Sequence, residues 1–116
     1  MDAMQQLQEE IAETIFIPKS LTNLITSECT DEIWILLNII YTSSVHSDLL
    51  SDREIFKVQL EIDEQSEVIR SICKPAEFFM IWIWITKTVE KWISSAVKLD
   101  EFESAANLKK VLKLDE

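Results

Sequence analysis

The chain has 116 residues, with 21 acidic and 11 basic side chains and a formal net charge of -10 at pH 7. Apolar residues make up 47% of the sequence, which excludes an intrinsically disordered chain and suffices for one domain over residues 1–116. Glycine is absent, which excludes a P-loop, a dinucleotide fingerprint and the usual tight β-hairpin turns. Ser, Thr, Asp and Asn instead separate the apolar segments, and these residue types are the preferred N-caps of helices. We therefore expect an all-α fold, a compact bundle of about five to six helices.

The first two predicted helices precede residue 26. Residues 2–16 repeat apolar side chains at helical spacing, with the acids on the other side. The apolar stripe consists of Met4, Leu7, Ile11 and Ile15. Pro18 suits the first turn of a short second helix. The side chains that we expect to face inward from it are Leu21, Leu24 and Ile25.

A third helix is predicted to begin at Thr30 and to lie at the centre of the bundle. Thr30 is a good N-cap, and Asp31 and Glu32 follow it where the positive end of the helix dipole favours acids. Apolar residues then cover most of the circumference over residues 33–41. Asn38 interrupts them, and we expect its amide to be hydrogen bonded inside the bundle, because a buried unpaired amide costs about 1–3 kcal/mol.

The fourth predicted helix begins at Ser51. Ser51 and Glu54 match a capping box, in which each side chain accepts the other residue's backbone N–H. Residues 56–63 alternate apolar and polar like a strand, but the wider run keeps helical spacing and lacks flanking turn residues, so we favour helix. This wider segment carries four carboxylates, Glu61, Asp63, Glu64 and Glu67. The segment lacks the glycine turn of a calcium-binding loop, so we interpret the carboxylates as a solvated face of the helix rather than as a metal site.

The longest predicted helix spans residues 75–98 and is rich in aromatic residues. Residues 78–85 are eight consecutive apolar residues, far fewer than the about 20 that cross a bilayer, so we interpret them as part of a soluble core. A helix that is apolar on every side has to be surrounded, and we expect this one to be the most buried. Trp82→Asp or Ile83→Asp is accordingly expected to unfold the domain.

Few side chains of this sequence offer catalytic or metal-binding chemistry. His46 is the only histidine, and it lies in residues 42–48, the most polar stretch and the clearest predicted loop. Cys29 and Cys73 stand 44 positions apart without a CxxC motif, and we expect two reduced, buried or half-buried thiols. Neither a Ser-His-Asp nor a Cys-His set can be proposed from these residues. We therefore expect no enzyme, no catalytic residue, no metal site and no cofactor.

The N-terminus and the charge balance bear on location and on partners. The first ten residues are acidic and polar, so they resemble neither a secretory signal nor a transit peptide, and we expect an intracellular, cytoplasmic protein. Binding to nucleic acid depends on cations that neutralise phosphates. Because acids outnumber bases, we expect no direct nucleic-acid binding, and we expect no membrane segment.

The last part of the chain carries one recognisable motif. From residue 92 it reads WISSAVKLDEFESAANLKKVLKL, in which Phe-Glu-x-Ala-Ala-x-Leu follows an alanine and an acidic turn and precedes a further leucine. This pattern resembles the UVR motif, the short helical hairpin of the excision-repair proteins UvrB and UvrC and of partners of bacterial Clp chaperones. The matching residues are Ala96, Asp100, Phe102, Glu103, Ala105, Ala106, Leu108 and Leu112. Lys109 and Lys110 depart from the Arg-Asp of the family.

The resemblance implies a helical hairpin over residues 92–114 that binds other proteins, often by pairing with a like hairpin. The residues themselves predict that Asp100 caps the second helix of the hairpin, with Glu103 at the reciprocal position. The alternative is that the hairpin only completes the core of its own domain. In that case Phe102→Ala should lower stability by about 3–5 kcal/mol.

The net negative charge concentrates in the first half of the chain. Residues 1–50 hold eight acids against Lys19 alone, and such a face either serves solubility or attracts a basic partner. We favour a non-enzymatic protein-protein interaction protein, an inhibitor or adaptor of the viral or immunity type that docks on a basic surface of a larger protein. The alternative is a structural or assembly protein that forms a homo-oligomer through its helices. The candidate partner-binding residues are Glu9, Glu10, Glu13, Asp31, Glu32, Phe102, Lys109 and Lys110.

Overall fold

Six α-helices make up the part of the chain that the computed structural model describes, residues 2–45 and 48–114. In chain order they are α1 (Ala3–Thr14), α2 (Lys19–Thr22), α3 (Ser27–Ser44), α4 (Asp52–Ile72), α5 (Pro75–Lys98) and α6 (Phe102–Val111). No residue of these two ranges belongs to a strand. The predicted all-α bundle is therefore confirmed, as is the choice of helix for residues 56–63, which lie inside α4.

The helices pack around one apolar core. α3 lies against α4, α5 lies against α6, and α1 packs on α5. α6 also contacts α3 and α4 and so closes the bundle. Side chains at the centre are fully buried, among them Leu7, Ile33, Leu36, Ile40, Ile69, Ile85, Trp92 and Leu108. α4 and α5 are consecutive but touch only sparingly, which leaves a groove between them.

Of the caps predicted for α3 and α4, the cap of α4 is confirmed and the cap of α3 is displaced. Ser51 Oγ accepts the Glu54 N–H at 3.2 Å and Glu54 Oε1 accepts the Ser51 N–H at 3.0 Å, so the predicted capping box is confirmed. α3 begins one turn earlier than predicted, because Thr26 Oγ1 accepts the Cys29 N–H at 3.1 Å. The predicted cap at Thr30 is wrong. Its hydroxyl instead donates to the Thr26 carbonyl at 3.2 Å within the helix.

α5 has the predicted bounds and, at 24 residues, is the longest helix of the described chain. It is not surrounded on every side. Phe79 is 66% exposed and Ile83 is 39% exposed, because α4 leaves this side of the helix open. α3 buries six of its 18 residues, a larger share than the seven of 24 in α5. The expectation that α5 is the most buried helix is wrong, and an aspartate at Ile83 would lie where water can hydrate it.

Two helices end on a left-handed residue that is not glycine. After α5, Asp100 has φ 59° and its N–H donates to the Val97 carbonyl at 3.1 Å. The Glu101 N–H donates to the Ala96 carbonyl at 2.8 Å, which completes a Schellman motif. Lys113, with φ 57°, occupies the same position after α6. Asp100 therefore closes α5, and the prediction that it caps α6 is wrong.

Replacing Asp100 by glycine is expected to raise the free energy of unfolding by about 1 kcal/mol, because glycine has no Cβ to clash at positive φ. Urea unfolding followed by circular dichroism measures the change. The matched control is Lys98→Gly at the last helical position of α5, where glycine should lower stability by about 1 kcal/mol. A less stable Asp100→Gly protein would contradict the motif.

Three expectations about the first half of the chain need correction. Leu24 is exposed rather than inward, because α2 ends at Thr22 and only Leu21 and Ile25 of the three expected residues pack against the core. Asn38 is exposed as well, so its amide needs no partner inside the bundle. The loop after α3 is shorter than predicted, because α3 continues through Ser44. His46 lies outside the described residues.

The connection from α3 to α4 is fastened by Asn107 of α6, a fully buried amide. Asn107 Oδ1 accepts the Leu50 N–H at 2.9 Å. Asn107 Nδ2 donates to the carbonyls of Asp48 at 2.9 Å and Ser44 at 3.3 Å. α6 is therefore anchored to the body of the domain by side-chain hydrogen bonds as well as by apolar packing.

A disulfide joins Cys29 at the start of α3 to Cys73 at the end of α4. Cys29 is buried and Cys73 half-buried, but the expectation that both are reduced thiols is wrong. The reason lies in the tertiary structure. α3 packs along α4, and this packing brings the end of α4 beside the start of α3. The separation of 44 positions in the sequence does not show that the two cysteines meet.

Candidate protein-binding surfaces

The acids that the sequence put forward lie on two helices. On α1, Glu9 and Glu13 are exposed and Glu10 is half-buried. In the first turns of α3, Asp31 is exposed and Glu32 is half-buried. Whether these acids form one surface depends on how α1 and α3 lie relative to each other.

Trp92 of α5 brings the ends of α1 and α3 together. Its side chain is 0% exposed, and its Nε1 donates to Oγ1 of Thr14, the last residue of α1, at 2.8 Å. The Thr14 hydroxyl in turn donates to the Ile11 carbonyl at 2.8 Å. The ring of Tyr41, near the end of α3, meets the indole edge to face with 6.4 Å between centroids. The last turn of α1 and the later part of α3 therefore both contact Trp92.

A groove of about 320 Å³ separates the two helices, and we call it the α1–α3 groove. Its walls are Gln8, Ile11, Ala12 and Ile15 of α1 and Trp34, Leu37, Asn38 and Tyr41 of α3. Trp34 is 40% exposed, so part of its indole is open to a ligand. Within the described chain, the side chains of Gln8, Asn38 and Tyr41 form no hydrogen bond. The groove thus combines apolar walls with three polar groups that a ligand can engage.

Acids stand at both rims of the α1–α3 groove. Glu9 follows the wall residue Gln8 by one position and precedes the wall residue Ala12 by three, so it lies about 100° and 60° around α1 from them, at the solvent edge of this wall. Asp31 precedes Trp34 by three positions and is its neighbour on the surface of α3. The walls contain no basic residue, and Lys19 is the only Lys or Arg among residues 1–50. The groove is therefore an apolar trough with negative rims.

The other three acids lie elsewhere. Glu32 is about 160° around α3 from Trp34. Its carboxylate and its carbonyl both accept hydrogen bonds from the Gln65 amide of α4. Glu10 and Glu13 each lie about 100–160° around α1 from the wall residues, on the side that faces away from the groove. The structure brings Glu9 and Asp31 to the two edges of the groove and separates Glu10, Glu13 and Glu32 from it.

The three candidate residues of α6 form a different surface. Phe102 is 59% exposed, and it shares the outer face of the helix with Lys109, seven positions later. Lys110 is half-buried. Ala105 and Leu108 supply the buried contacts of α6 instead. Phe102 is therefore not a core residue. The expected loss of about 3–5 kcal/mol in the free energy of unfolding for Phe102→Ala is wrong, because truncating an exposed side chain removes little packing.

A second groove lies where α4 and α5 diverge, and we call it the aromatic groove. It measures about 470 Å³ and is lined by Arg70, Cys73, Pro75, Phe78, Phe79 and Trp82. The rings of Phe78 and Trp82 stack with 6.2 Å between centroids, and Arg70 Cζ lies 4.4 Å from the centre of the Phe78 ring. Glu67 is 3.9 Å from the Arg70 guanidinium, so the groove carries charges of both signs.

Sequence reasoning missed the role of two wall residues. The sequence predicts a central helix over residues 33–41 with the Asn38 amide inside the bundle, whereas Trp34 and Asn38 both open onto the α1–α3 groove. Trp34, Asn38 and Tyr41 recur at helical spacing on one side of α3. A polar amide in the middle of this stripe indicates that other helices cover this side of α3 only in part.

Two further properties concern residues 2–45 and 48–114 alone. None of the helices in these ranges combines the length and the apolar run that crossing a bilayer requires. Nor do three or more His, Cys, Asp or Glu side chains of these ranges gather where they could hold a metal ion.

Comparison with known proteins adds no relative from which a function could be inferred. The chain matches no protein-family model, no curated protein and no solved structure.

Proposed function

We propose that this protein is a non-enzymatic interaction protein that binds another protein through its acidic N-terminal half, as an inhibitor or adaptor docking on a basic surface. The observation that carries the proposal is the α1–α3 groove, where Glu9 and Asp31 flank apolar walls that contain no basic residue. Potentials of opposite sign steer partners together and suppress wrong ones. A purely solubilising charge would not need an open aromatic side chain such as Trp34 between the acids.

Reversing the acids of α1 is expected to abolish capture of the partner. The variant is Glu9→Lys, Glu10→Lys and Glu13→Lys together. The tagged protein, incubated with an extract of its own host, should retain a basic protein that elutes as ionic strength rises, because exposed charges are screened by salt. The triple variant should retain much less of it. Its melting temperature should change little, since exposed charges contribute about 0–1 kcal/mol each.

The matched control reverses three acids of α4 and changes the net charge equally: Asp63→Lys, Glu64→Lys and Glu67→Lys, all at exposed positions. This control should still retain the partner. Equal loss in both triple variants would show that net charge alone, and not the acidic half, governs the attraction. Equal retention in both would contradict the electrostatic proposal.

Homo-oligomerisation is a second candidate function, and the exposed side of α5 favours it. Phe79, Met80 and Ile83 are exposed next to the aromatic groove, and contiguous apolar surface of this kind marks interaction sites. Sedimentation velocity separates the two candidates. A dimer that persists at high salt and dissociates on Phe79→Ala would favour assembly through this face, because apolar contacts are insensitive to salt.

The resemblance of residues 92–114 to the UVR motif supports a further binding surface within the same class of function. Phe102 and Lys109 on the outer face of α6 are the residues that such a partner would contact. The end of α5 and α6 do pack as a hairpin, which is compatible with that proposal.

A further inference from the structure

We infer that the α1–α3 groove receives a short amphipathic helix of the partner, with an apolar anchor seated between Trp34 and the α1 wall and lysine or arginine side chains reaching the acidic rims. This inference rests on the proposed function and names the site and the chemistry of its ligand. Helix-in-groove binding uses anchors at positions i, i+3 or i+4 and i+7 of the bound segment.

The size of the groove sets the length of the segment. Its α1 wall extends from Gln8 to Ile15, which corresponds to about 10 Å along the helix. This length matches about two turns of a bound helix and therefore two apolar anchors. The volume of about 320 Å³ accommodates large side chains, and the half-exposed indole of Trp34 offers the type of contact that dominates interface energies.

The polar groups of the groove match such a segment as well. Asn38 lies on the α3 wall, exposed and without a side-chain hydrogen bond in the described chain, and Gln8 faces it from α1. Side-chain amides can both donate and accept, so they can bind the polar side chains that flank the anchors. Buried anchors with polar contacts around them are the usual anatomy of a protein interface.

The charge of the rims selects the partner. Glu9 on one side and Asp31 on the other place negative charge at both edges of the groove. A second copy of this chain would bring the same acids against each other, and like charges oppose association. A lysine- or arginine-bearing segment is therefore the occupant that fits, and a second copy becomes an outcome of the test.

The probe is a synthetic fluorescent peptide of about 14 residues, made of leucine and lysine, with the leucines at helical spacing. Two control peptides accompany it. One has the same composition in scrambled order, which destroys the apolar face, and the other has glutamate in place of every lysine. Fluorescence anisotropy at physiological salt measures the dissociation constants. We expect the ordered lysine peptide to bind about tenfold or more tightly than either control, because it alone combines a continuous apolar face with positive charge.

Two pairs of variants then locate the binding site. Trp34→Ala removes the aromatic wall, and Phe79→Ala removes an exposed aromatic of the aromatic groove as its match. Asn38→Lys places a positive charge in the α1–α3 groove, and Asn23→Lys places the same charge at an exposed site after α2. We expect Trp34→Ala and Asn38→Lys to weaken binding about tenfold or more, and the two matched variants to change it by less than about twofold. Circular dichroism checks that all four remain helical.

The outcomes separate the inference from the proposed function. If the lysine peptide binds better than the glutamate peptide but Phe79→Ala weakens it more than Trp34→Ala, the groove assignment is overturned and the preference for a basic partner stands. If the glutamate peptide binds equally well, the proposed function fails too. If no peptide binds while sedimentation shows a dimer that Trp34→Ala dissociates, a second copy is the occupant and the inference is overturned.

Discussion

Replacing Trp92 by alanine is expected to lower the free energy of unfolding by about 3–5 kcal/mol, a large part of the stability of a small domain. The indole is fully buried where α1, α3 and α5 meet, and its removal leaves a cavity at that junction. It also leaves the Thr14 hydroxyl without its donor. Urea unfolding monitored by circular dichroism measures the loss.

The matched control is Trp34→Ala, which truncates the same side chain at a position that is 40% exposed. Its effect should be clearly smaller, because less packing is lost. Trp92→Phe, which keeps most of the volume but loses the hydrogen bond to Thr14, should cost about 1 kcal/mol for that bond in addition to its packing change. Equal destabilisation by alanine at Trp34 and Trp92 would contradict the packing described for α1 and α3.

Reduction of the disulfide is expected to lower the free energy of unfolding by about 2–4 kcal/mol. Cys29 and Cys73 are separated by 44 positions, and a cross-link over a loop of this size removes chain entropy from the unfolded state. Urea midpoints with and without a reducing agent measure the difference. Before reduction, the unfolded protein should show no thiol that reacts with a thiol reagent.

The control for this experiment is the double variant Cys29→Ala and Cys73→Ala, whose midpoint should not respond to the reducing agent. Identical midpoints of the parent protein under both conditions would contradict the covalent link between α3 and α4. In a reducing environment the same pair would be two thiols, and the domain would be correspondingly less stable.

Local interactions explain which parts of the fold could be predicted. The capping box of Ser51 and Glu54 involves residues three positions apart, so the sequence contains everything that determines it. Pro75 fixes the start of α5 in the same way. Thr30 failed as a cap because Thr26, four positions earlier, satisfies the same rule. Local chemistry allows both starts, and the packing of the first turn of α3 decides between them.

Burial could be predicted only in part, because it depends on which helices cover a given side. Residues 78–85 are apolar throughout, yet the divergence of α4 from α5 leaves Phe79 and Ile83 exposed. Phe102 carries the signature of a hairpin core but faces outward from α6. Apolar character shows that a side chain can be buried, whereas the neighbours that bury it come from distant parts of the chain.

The candidate site depends still more on tertiary structure. Glu9 of α1 and Asp31 of α3 could be named from charge alone, but their position at the edges of one groove follows from the junction at Trp92. Sequence separation gave no indication that Asn38 opens onto that groove or that Glu32 turns toward α4. The same holds for Asn107, whose three hydrogen bonds reach more than 50 positions back along the chain.

A residue-resolved NMR titration with the leucine-lysine peptide tests whether the α1–α3 groove binds a basic amphipathic segment. The prediction is that amide chemical shifts change first and most at the groove walls, within residues 8–15 and 31–41, and that the indole N–H of Trp34 moves with them. Residues 63–83, which include the aromatic groove, should move little. Shifts concentrated in residues 63–83, or spread evenly over the acidic surface, would contradict it.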